Sequence, residues 1–231
     1  MKVATHTQRR VWSQRFWNDV RPGLGVIPVL VVSILVPFEL ALAQGQNKIT
    51  DEVAVVVTHG RVLGFTGGSG AVGARLSAGA DVLFTQSKGI NGVVQTTGRL
   101  LGFSGPAQRW SAQGLDVSET LQKIQVTPRL IFVRTDKRLF GFQGAVGRWK
   151  VLELGIQEEH HQTIVQDHVA VVMTDRRVLG FSTFTGGFFA ETLSSDEAIE
   201  RVEANDNIIV LMTSARKLIF RSGLAVWAEI R

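Results

Sequence analysis

The chain has 231 residues, no cysteine and a formal net charge of +5 at pH 7. Without cysteine, neither a disulfide framework nor a thiolate metal site is possible. The positive charge lies mainly at the N-terminus, where residues 1 to 43 hold five Lys or Arg and two Asp or Glu, so the rest of the chain carries only about +2. The high pI is therefore no indication of nucleic acid binding, and no nucleic acid partner is predicted.

Residues 1 to 43 have the layout of a cleavable export signal. A basic start is followed by the apolar stretch Leu24 to Phe38 and by the small residues of Ala41 to Ala43. The alternative is an uncleaved membrane anchor, since residues 24 to 43 reach the length of about 20 residues that crosses a bilayer. Glu39 inside that stretch disfavours the anchor. We expect export to the periplasm or the cell exterior, with membrane contact only through residues 24 to 43 if they are retained.

From residue 58 onward, one short pattern recurs five times. It consists of a Thr, two variable residues, an Arg and an apolar run that ends in Phe. The copies are Thr58/Arg61/Phe65, Thr96/Arg99/Phe103, Thr135/Arg138/Phe142, Thr174/Arg177/Phe181 and Thr213/Arg216/Phe220. Successive threonines are 38, 39, 39 and 39 residues apart, which predicts a repeated structural unit.

Each unit is predicted to contain four short strands. The apolar run before the Thr, such as Val169 to Met173, is typical of a fully buried strand, and the Arg-to-Phe segment follows after a hairpin turn. A third strand is indicated by a large apolar residue seven positions beyond each Phe. These residues are Val72, Trp110, Trp149, Phe188 and Trp227. A fourth strand is indicated around Ile124, Ile164 and Val202, and no window shows a sustained helical period.

Four short strands repeated every ~40 residues resemble the blades of a β-propeller over residues 44 to 231. The resemblance implies an all-β, five-bladed propeller of four-stranded antiparallel blades. No copy carries the Trp-Asp dipeptide of one large propeller family. Propellers with five blades include sugar-binding lectins and glycan-cleaving enzymes, and the fold alone does not fix the function.

The chain ends suggest how such a ring would close. The segment Gln46 to Ile49 resembles the fourth-strand segments, whereas the last unit runs from Asn207 to Arg231 without a fourth strand of its own. We therefore predict that an N-terminal strand at Ile49 completes the C-terminal blade. Closure would remove two unpaired strand edges.

Two further repeated positions are predicted to be structural. Gly64, Gly102, Gly141 and Gly180 occupy one position of the second strand, where Ile219 stands in the fifth copy. A strand glycine indicates close approach of another group, and we assign this role to a bulky residue of the neighbouring blade, the third-strand Trp. The five arginines Arg61, Arg99, Arg138, Arg177 and Arg216 are expected to pair with a carboxylate or carbonyl, with an anion-binding crown as the alternative.

Functional residues are sought where the units differ. The residues six positions before each Thr are Glu52, Ile90, Arg129, His168 and Asn207, and their predecessors are Asp51, Gly89, Pro128, Asp167 and Asp206. In a propeller, these loops lead into the innermost strands and ring the channel, beside the turns that carry Arg109, Arg148 and Phe184. The candidate ligand-binding residues are Asp51, Glu52, Arg129, Asp167, His168, Asp206 and Asn207. The alternative is a solvated loop face.

No segment that resembles a catalytic or cofactor motif has the structural context that the motif requires. Gly68 to Gly73 matches the Gly-x-Gly-x-x-Gly fingerprint, but no helix is predicted after it, so it is interpreted as a blade turn and no cofactor is predicted. His160-His161 after Glu158-Glu159 could form part of a metal site, but lies on a predicted outer strand.

The sequence therefore favours an exported, monomeric, non-enzymatic domain that binds a protein or carbohydrate ligand. A lectin and a hydrolase with carboxylates at the channel mouth are the alternatives.

Overall fold

The computed structural model describes residues 52 to 224 and 226 to 230, and within them the chain is built entirely from β-strands and their connections. The strands form five antiparallel sheets in chain order, as the repeat predicts. The all-β, five-bladed propeller architecture is thus confirmed. In this part of the chain, no helix is long and apolar enough to span a bilayer.

Each sheet is one blade. Blade 1 contains β1 (Val53–Thr58), β2 (Arg61–Thr66) and β3 (Ser69–Arg75). Blade 2 contains β4 (Val82–Lys88), β5 (Asn91–Thr96), β6 (Arg99–Ser104) and β7 (Arg109–Gly114). Blade 3 contains β8 (Leu121–Val126), β9 (Leu130–Thr135), β10 (Arg138–Gln143) and β11 (Arg148–Glu153). Blade 4 contains β12 (His160–Val165), β13 (Val169–Thr174), β14 (Arg177–Ser182) and β15 (Gly187–Thr192). Blade 5 contains β16 (Ile199–Asn205), β17 (Ile208–Thr213), β18 (Lys217–Arg221) and β19 (Trp227–Ile230).

The blade boundaries differ from the predicted ones. The strand that the sequence places last in each unit pairs with the apolar strand of the next unit, so the order within blade 4 is β12, β13, β14, β15. The apolar strand is therefore the second of four and not the innermost, edge strand that was predicted. The central position fits the burial of Val169 to Met173, because β12 and β14 pair with the two edges of this strand while blades 3 and 5 pack on its two faces.

The predicted closure of the ring is affected by the same shift. Blade 5 contains four strands from the C-terminal part of the chain, whereas the prediction gave it three of its own and one from the N-terminus. Blade 1 is the sheet with three described strands. The strand predicted at Ile49 and the export signal of residues 1 to 43 lie outside the described residues.

Successive blades pack through a phenylalanine placed on a glycine. We call the side of a blade that faces the next blade its forward face, and the opposite side its rear face. Phe103 on the rear face of blade 2 covers Gly64 on the forward face of blade 1 so closely that a Cβ on the glycine would lie 2.6 Å from the ring. The same contact joins Gly102 to Phe142, Gly141 to Phe181 and Gly180 to Phe220. The predicted close approach is confirmed, but the bulky group is this phenylalanine and not the tryptophan.

The tryptophans instead tie the last strands of adjacent blades together. The indole Nε1–H of Trp110 donates to the carbonyl of Val72 at 2.8 Å, Trp149 to that of Ser111 at 3.0 Å, and Trp227 to that of Phe189 at 3.0 Å. Each acceptor lies 38 residues earlier, on the preceding blade. The indoles also contact the packing phenylalanines, with Trp149 and Phe142 ring centroids 4.8 Å apart. Each indole therefore bridges two adjacent blades.

Candidate functional site

The loops that lead into the apolar strands lie side by side on one end of the blades. The amide of Glu52 donates to the carbonyl of Gly89 at 2.9 Å, that of Ile90 to Pro128 at 2.9 Å, and that of His168 to Asp206 at 3.0 Å. Each bond crosses from one blade to the next. We call this end the loop face and define it by Glu52, Lys88 to Ile90, Pro128-Arg129, Asp167-His168, Thr183-Phe184 and Asp206-Asn207.

The backbone of the loop face is also fixed within each blade. The carbonyl of Arg129 accepts from the amide of Gly144 at 3.1 Å, and the carbonyl of His168 accepts from that of Thr183 at 3.0 Å. The carbonyl of Asn207 accepts from the amide of Ser222 at 2.8 Å. With the main chain held in this way, the side chains project from a rigid support, which lowers the entropic cost of binding.

His168 is the centre of the most structured part of this face. Its Nδ1 lies 3.2 Å from the hydroxyl oxygen of Thr183, and its ring stacks on Phe184 with centroids 4.7 Å apart and an interplanar angle of 23°. Phe184 remains 62% exposed. The ring of Phe184 is therefore exposed to solvent while it is supported by the ring of His168.

Charged groups from several blades act on Asp167 and His168. Burial raises the pKa of Asp167, and the charge of Asp206 raises it further, while His168, Lys88 and Arg129 act in the opposite direction. Burial also lowers the pKa of His168, and Arg129 adds to this effect. His168 is accordingly neutral at pH 7. Keeping Asp167 ionised at that pH costs free energy in the folded chain.

The predicted residues separate into groups. Arg129, Asp167, His168 and Asp206 interact electrostatically. Glu52 is exposed at the blade 1 end of the face. Asn207 has a structural bond, since its Oδ1 lies 3.2 Å from Ser222 Oγ. Asp51 lies outside the described residues.

Lys88 and Thr183 belong to the site but were not selected from the sequence. Lys88 influences Asp167 from blade 2, and Thr183 contacts His168 through its hydroxyl. Lys88 directly precedes the Gly89-Ile90 pair that was compared across the units. Extending the comparison by one residue would have found it, whereas nothing in the sequence marks the contact of Thr183.

Two surface clefts lie at the other end of the strands, near the repeated Thr and Arg. One of about 360 Å³ is lined by residues that include His161, Thr174 and Glu197, and one of about 430 Å³ by residues that include Arg138 and Glu158. Neither contains a residue of the loop face. Within residues 52 to 224 and 226 to 230, no group of three His, Asp or Glu could hold a metal ion.

Three of the five repeated arginines form ion pairs with buried glutamates. Arg138, Arg177 and Arg216 pair with the glutamates Glu119, Glu158 and Glu197, each of which is at most 2% exposed at its side chain. Arg99 donates from Nη2 to a backbone carbonyl, and Arg61 is exposed. The pairs fix blade geometry, and they do not form an open anion-binding crown.

No family model matches the chain. No curated protein matches it either. Solved structures that resemble it include human WBSCR16, with a TM-score of 0.36 and 8% identity over 75% of this chain and 63% of that one. Kluyveromyces lactis Hsv2 has a TM-score of 0.35 and 9% identity, covering 78% of this chain and 61% of that one. The N-terminal domain of Nup159 has a TM-score of 0.33 and 10% identity, covering 78% and 59%. The chain thus spans less than two thirds of each of these structures, and likenesses this distant indicate no function.

Proposed function

We propose that the chain is an exported, non-enzymatic binding domain that engages a protein partner through its loop face. The observation that carries the proposal is Phe184, which is 62% exposed and stacks on His168 beside charged groups of both signs. Aromatic and arginine side chains surrounded by polar groups supply much of the binding energy at protein interfaces. The rigid main chain of the loops supports this role, because little order has to be gained on binding.

The test compares two exposed apolar residues at opposite ends of the blades. Phe184 lies on the loop face, and Ile156, which is 91% exposed, lies in the connection between β11 and β12. Cross-linked partners of the wild-type chain are identified by mass spectrometry and then titrated against purified variants. We expect Phe184→Ala to weaken binding of the identified partner by tenfold or more, about 1.4 kcal/mol. Ile156→Ala should bind as the wild type does, and equal binding by both variants would refute the loop face as the docking surface.

Carbohydrate binding is a separate possibility that the sequence raised. A lectin of this type would present repeated aromatic side chains to the sugar, but the indole groups of Trp110, Trp149 and Trp227 are engaged between blades. A glycan array distinguishes the two functions, and saturable binding that Phe184→Ala abolishes would favour the sugar. For the hydrolase alternative, Glu52→Gln and Asp167→Asn are the variants to assay.

Export is proposed from the N-terminal sequence. The test is the N-terminus of the mature protein recovered from the producing cell. Cleavage close to Ala43 is expected, whereas a chain that retains residues 24 to 43 and sediments with membranes would favour the anchor.

A further inference from the structure

Each of blades 3, 4 and 5 binds one buried carboxylate in the same way. In blade 3, Glu119 Oε1 accepts from the hydroxyl of Thr135 at 2.6 Å and from Nε of Arg138 at 3.0 Å. Its Oε2 accepts from Nη2 of Arg138 and from the amide of Asp116 at 3.0 Å. Four donors therefore converge on one carboxylate, and we call this arrangement the carboxylate bay.

The bays of blades 4 and 5 repeat it in detail. Glu158 accepts from Thr174, Arg177 and the amide of Gly155, and Glu197 accepts from Thr213, Arg216 and the amide of Ser194. The pKa of Glu119 and of Glu158 is lowered to about 2, because hydrogen bonds to arginine and threonine outweigh burial. The bay thus has a strong preference for a charged carboxylate.

Blade 2 has the same bay without the glutamate. Ala80 stands where the other blades have the glutamate, and its turn is the same, since the amide of Ala80 donates to the carbonyl of Ser77 at 3.1 Å, as that of Glu119 does to Asp116 at 3.0 Å. The difference is therefore confined to the side chain.

The arginine and the threonine of blade 2 are nevertheless placed like their counterparts. Nη2 of Arg99 donates to the carbonyl of Arg75, 24 residues earlier, as Nη2 of Arg138 does to that of Gly114. The guanidinium therefore has the orientation of its counterparts. Its Nε is buried and has no hydrogen-bond partner, and Thr96, the counterpart of Thr135, is 1% exposed. A buried guanidinium donor without an acceptor is energetically costly.

We propose that the bay of blade 2, formed by Ser77, Ala80, Thr96 and Arg99, binds a carboxylate from outside the chain. Two oxygens in one plane match the paired Nε and Nη2 donors, which is the geometry that arginine uses with carboxylates. The ligand is either a small free carboxylate or an acidic side chain of a partner protein. This site is distinct from the loop face, because Thr96 and Arg99 lie at the opposite end of β5 and β6.

The first experiment observes the arginine directly. The Nε–H resonance of Arg99 is followed by NMR in the full chain during titration with sodium acetate, with sodium chloride at equal ionic strength as the reference. We expect a saturable shift with acetate that chloride does not produce. Ala80→Glu should shift the resonance without ligand and abolish the response, because the new carboxylate occupies the bay. An equal response to both salts would overturn the proposal.

A matched variant and a thermal measurement control for folding. Glu119→Ala creates a second bay, so the Nε–H resonance of Arg138 should then respond to acetate in the same way. Ala80→Glu should raise the melting temperature by about 2 to 4 °C. The new carboxylate would accept charge-assisted hydrogen bonds from Arg99, and in a domain of this size such a gain in stability shifts the melting temperature by only a few degrees. If that variant fails to fold, Arg99→Lys keeps the charge but loses the paired donors. The acetate titration is then followed at the backbone amide of Ser77, the counterpart of the Asp116 amide, and a shift there equal to that of the wild type would refute the site.

A second titration separates the two sources of the carboxylate. A short peptide with a central glutamate is compared with its glutamine counterpart and with acetate. Binding of the glutamate peptide at least tenfold tighter than acetate, with no response to the glutamine peptide, indicates an acidic side chain of a partner. Equal affinity of peptide and acetate indicates a free carboxylate. Absence of any response of Arg99 to all three overturns the proposal.

Discussion

The faces between adjacent blades and the two outermost faces, which are the rear face of blade 1 and the forward face of blade 5, have similar sequences but different surroundings. Val94, Val133 and Val172, on the rear faces of blades 2, 3 and 4, are 0% exposed, whereas Val56 at the equivalent position of blade 1 is 44% exposed. Blade 5 has the same contrast, because its rear face is buried while Ile219 on its forward face is partly exposed. A strand of valines is therefore buried by the adjacent sheet and not by its own composition.

Among the described residues, the rear face of blade 1 and the forward face of blade 5 also lack the glycine–phenylalanine contact that joins the inner faces. Four buried clusters connect blades 1 to 5 in succession. Ile219 stands where the other blades have the glycine that receives a phenylalanine, and Phe65, the phenylalanine of blade 1, is partly exposed. A side chain at position 219 is incompatible with the packing seen at Gly180, so the departure from the repeat coincides with the missing contact.

The largest effect is expected when a side chain is placed on an inner glycine. Gly141→Leu would push its side chain into the ring of Phe181, since even a Cβ there overlaps with the ring. We expect a loss of about 3 kcal/mol or more in the free energy of unfolding, the upper range for overpacked cores. The measurement is chemical denaturation of the purified domain. Ile219→Gly is the control at the same repeat position and should cost about 1 kcal/mol, the price of a strand glycine. Equal losses would show that the outer face is packed after all.

Truncation of the packing phenylalanine should give a difference of similar size. Phe181 is 0% exposed, and Phe181→Ala is expected to cost about 3 to 5 kcal/mol, whereas Phe65→Ala removes a partly exposed ring and should cost about 1 kcal/mol. The same denaturation experiment measures both. A Phe65→Ala variant as unstable as Phe181→Ala would contradict the assigned exposure of the rear face of blade 1.

A moderate effect on the free energy of unfolding is expected when a buried carboxylate is replaced. The pKa of Glu158 is about 2 in the folded chain, below its usual value of 4.5, so its contribution is fully present above pH 4.5 and is lost as the pH falls toward 2. Glu158→Gln should therefore reduce stability by about 1 to 3 kcal/mol at pH 7 and by much less near pH 2. Melting curves over this pH range test the expectation. A pH-independent loss would instead indicate that steric packing of the side chain is responsible.

Much of the fold could be predicted from the sequence because the repeat is nearly exact. Five threonines at constant spacing fixed the number of blades, and glycine inside a strand correctly indicated close packing. The partner of a strand was harder to predict, since the segment around Ile124 could pair with either neighbour in the chain, and only the hydrogen bonds from β8 to β9 decide. The carboxylate bay was missed for a related reason. Glu119, Glu158 and Glu197 lie 16 residues before their threonines, where a surface acid is unremarkable until its burial is known.

The smallest expected effect lies on the loop face and has the opposite sign. Burial and Asp206 raise the pKa of Asp167 above 3.8, so its carboxyl group holds a proton more tightly in the folded chain than in the unfolded one. This favours folding at low pH, and the advantage is lost as the pH rises through the folded pKa. Asp167→Asn should therefore stabilise the domain more at pH 7 than at pH 3, where the raised pKa leaves the Asp167 carboxyl of the folded chain largely protonated. Melting temperatures at the two pH values measure this difference. A stabilised variant that also binds its partner less well would mean that the carboxylate is retained for binding at the expense of stability, whereas a destabilised variant would show that Lys88 and Arg129 outweigh burial.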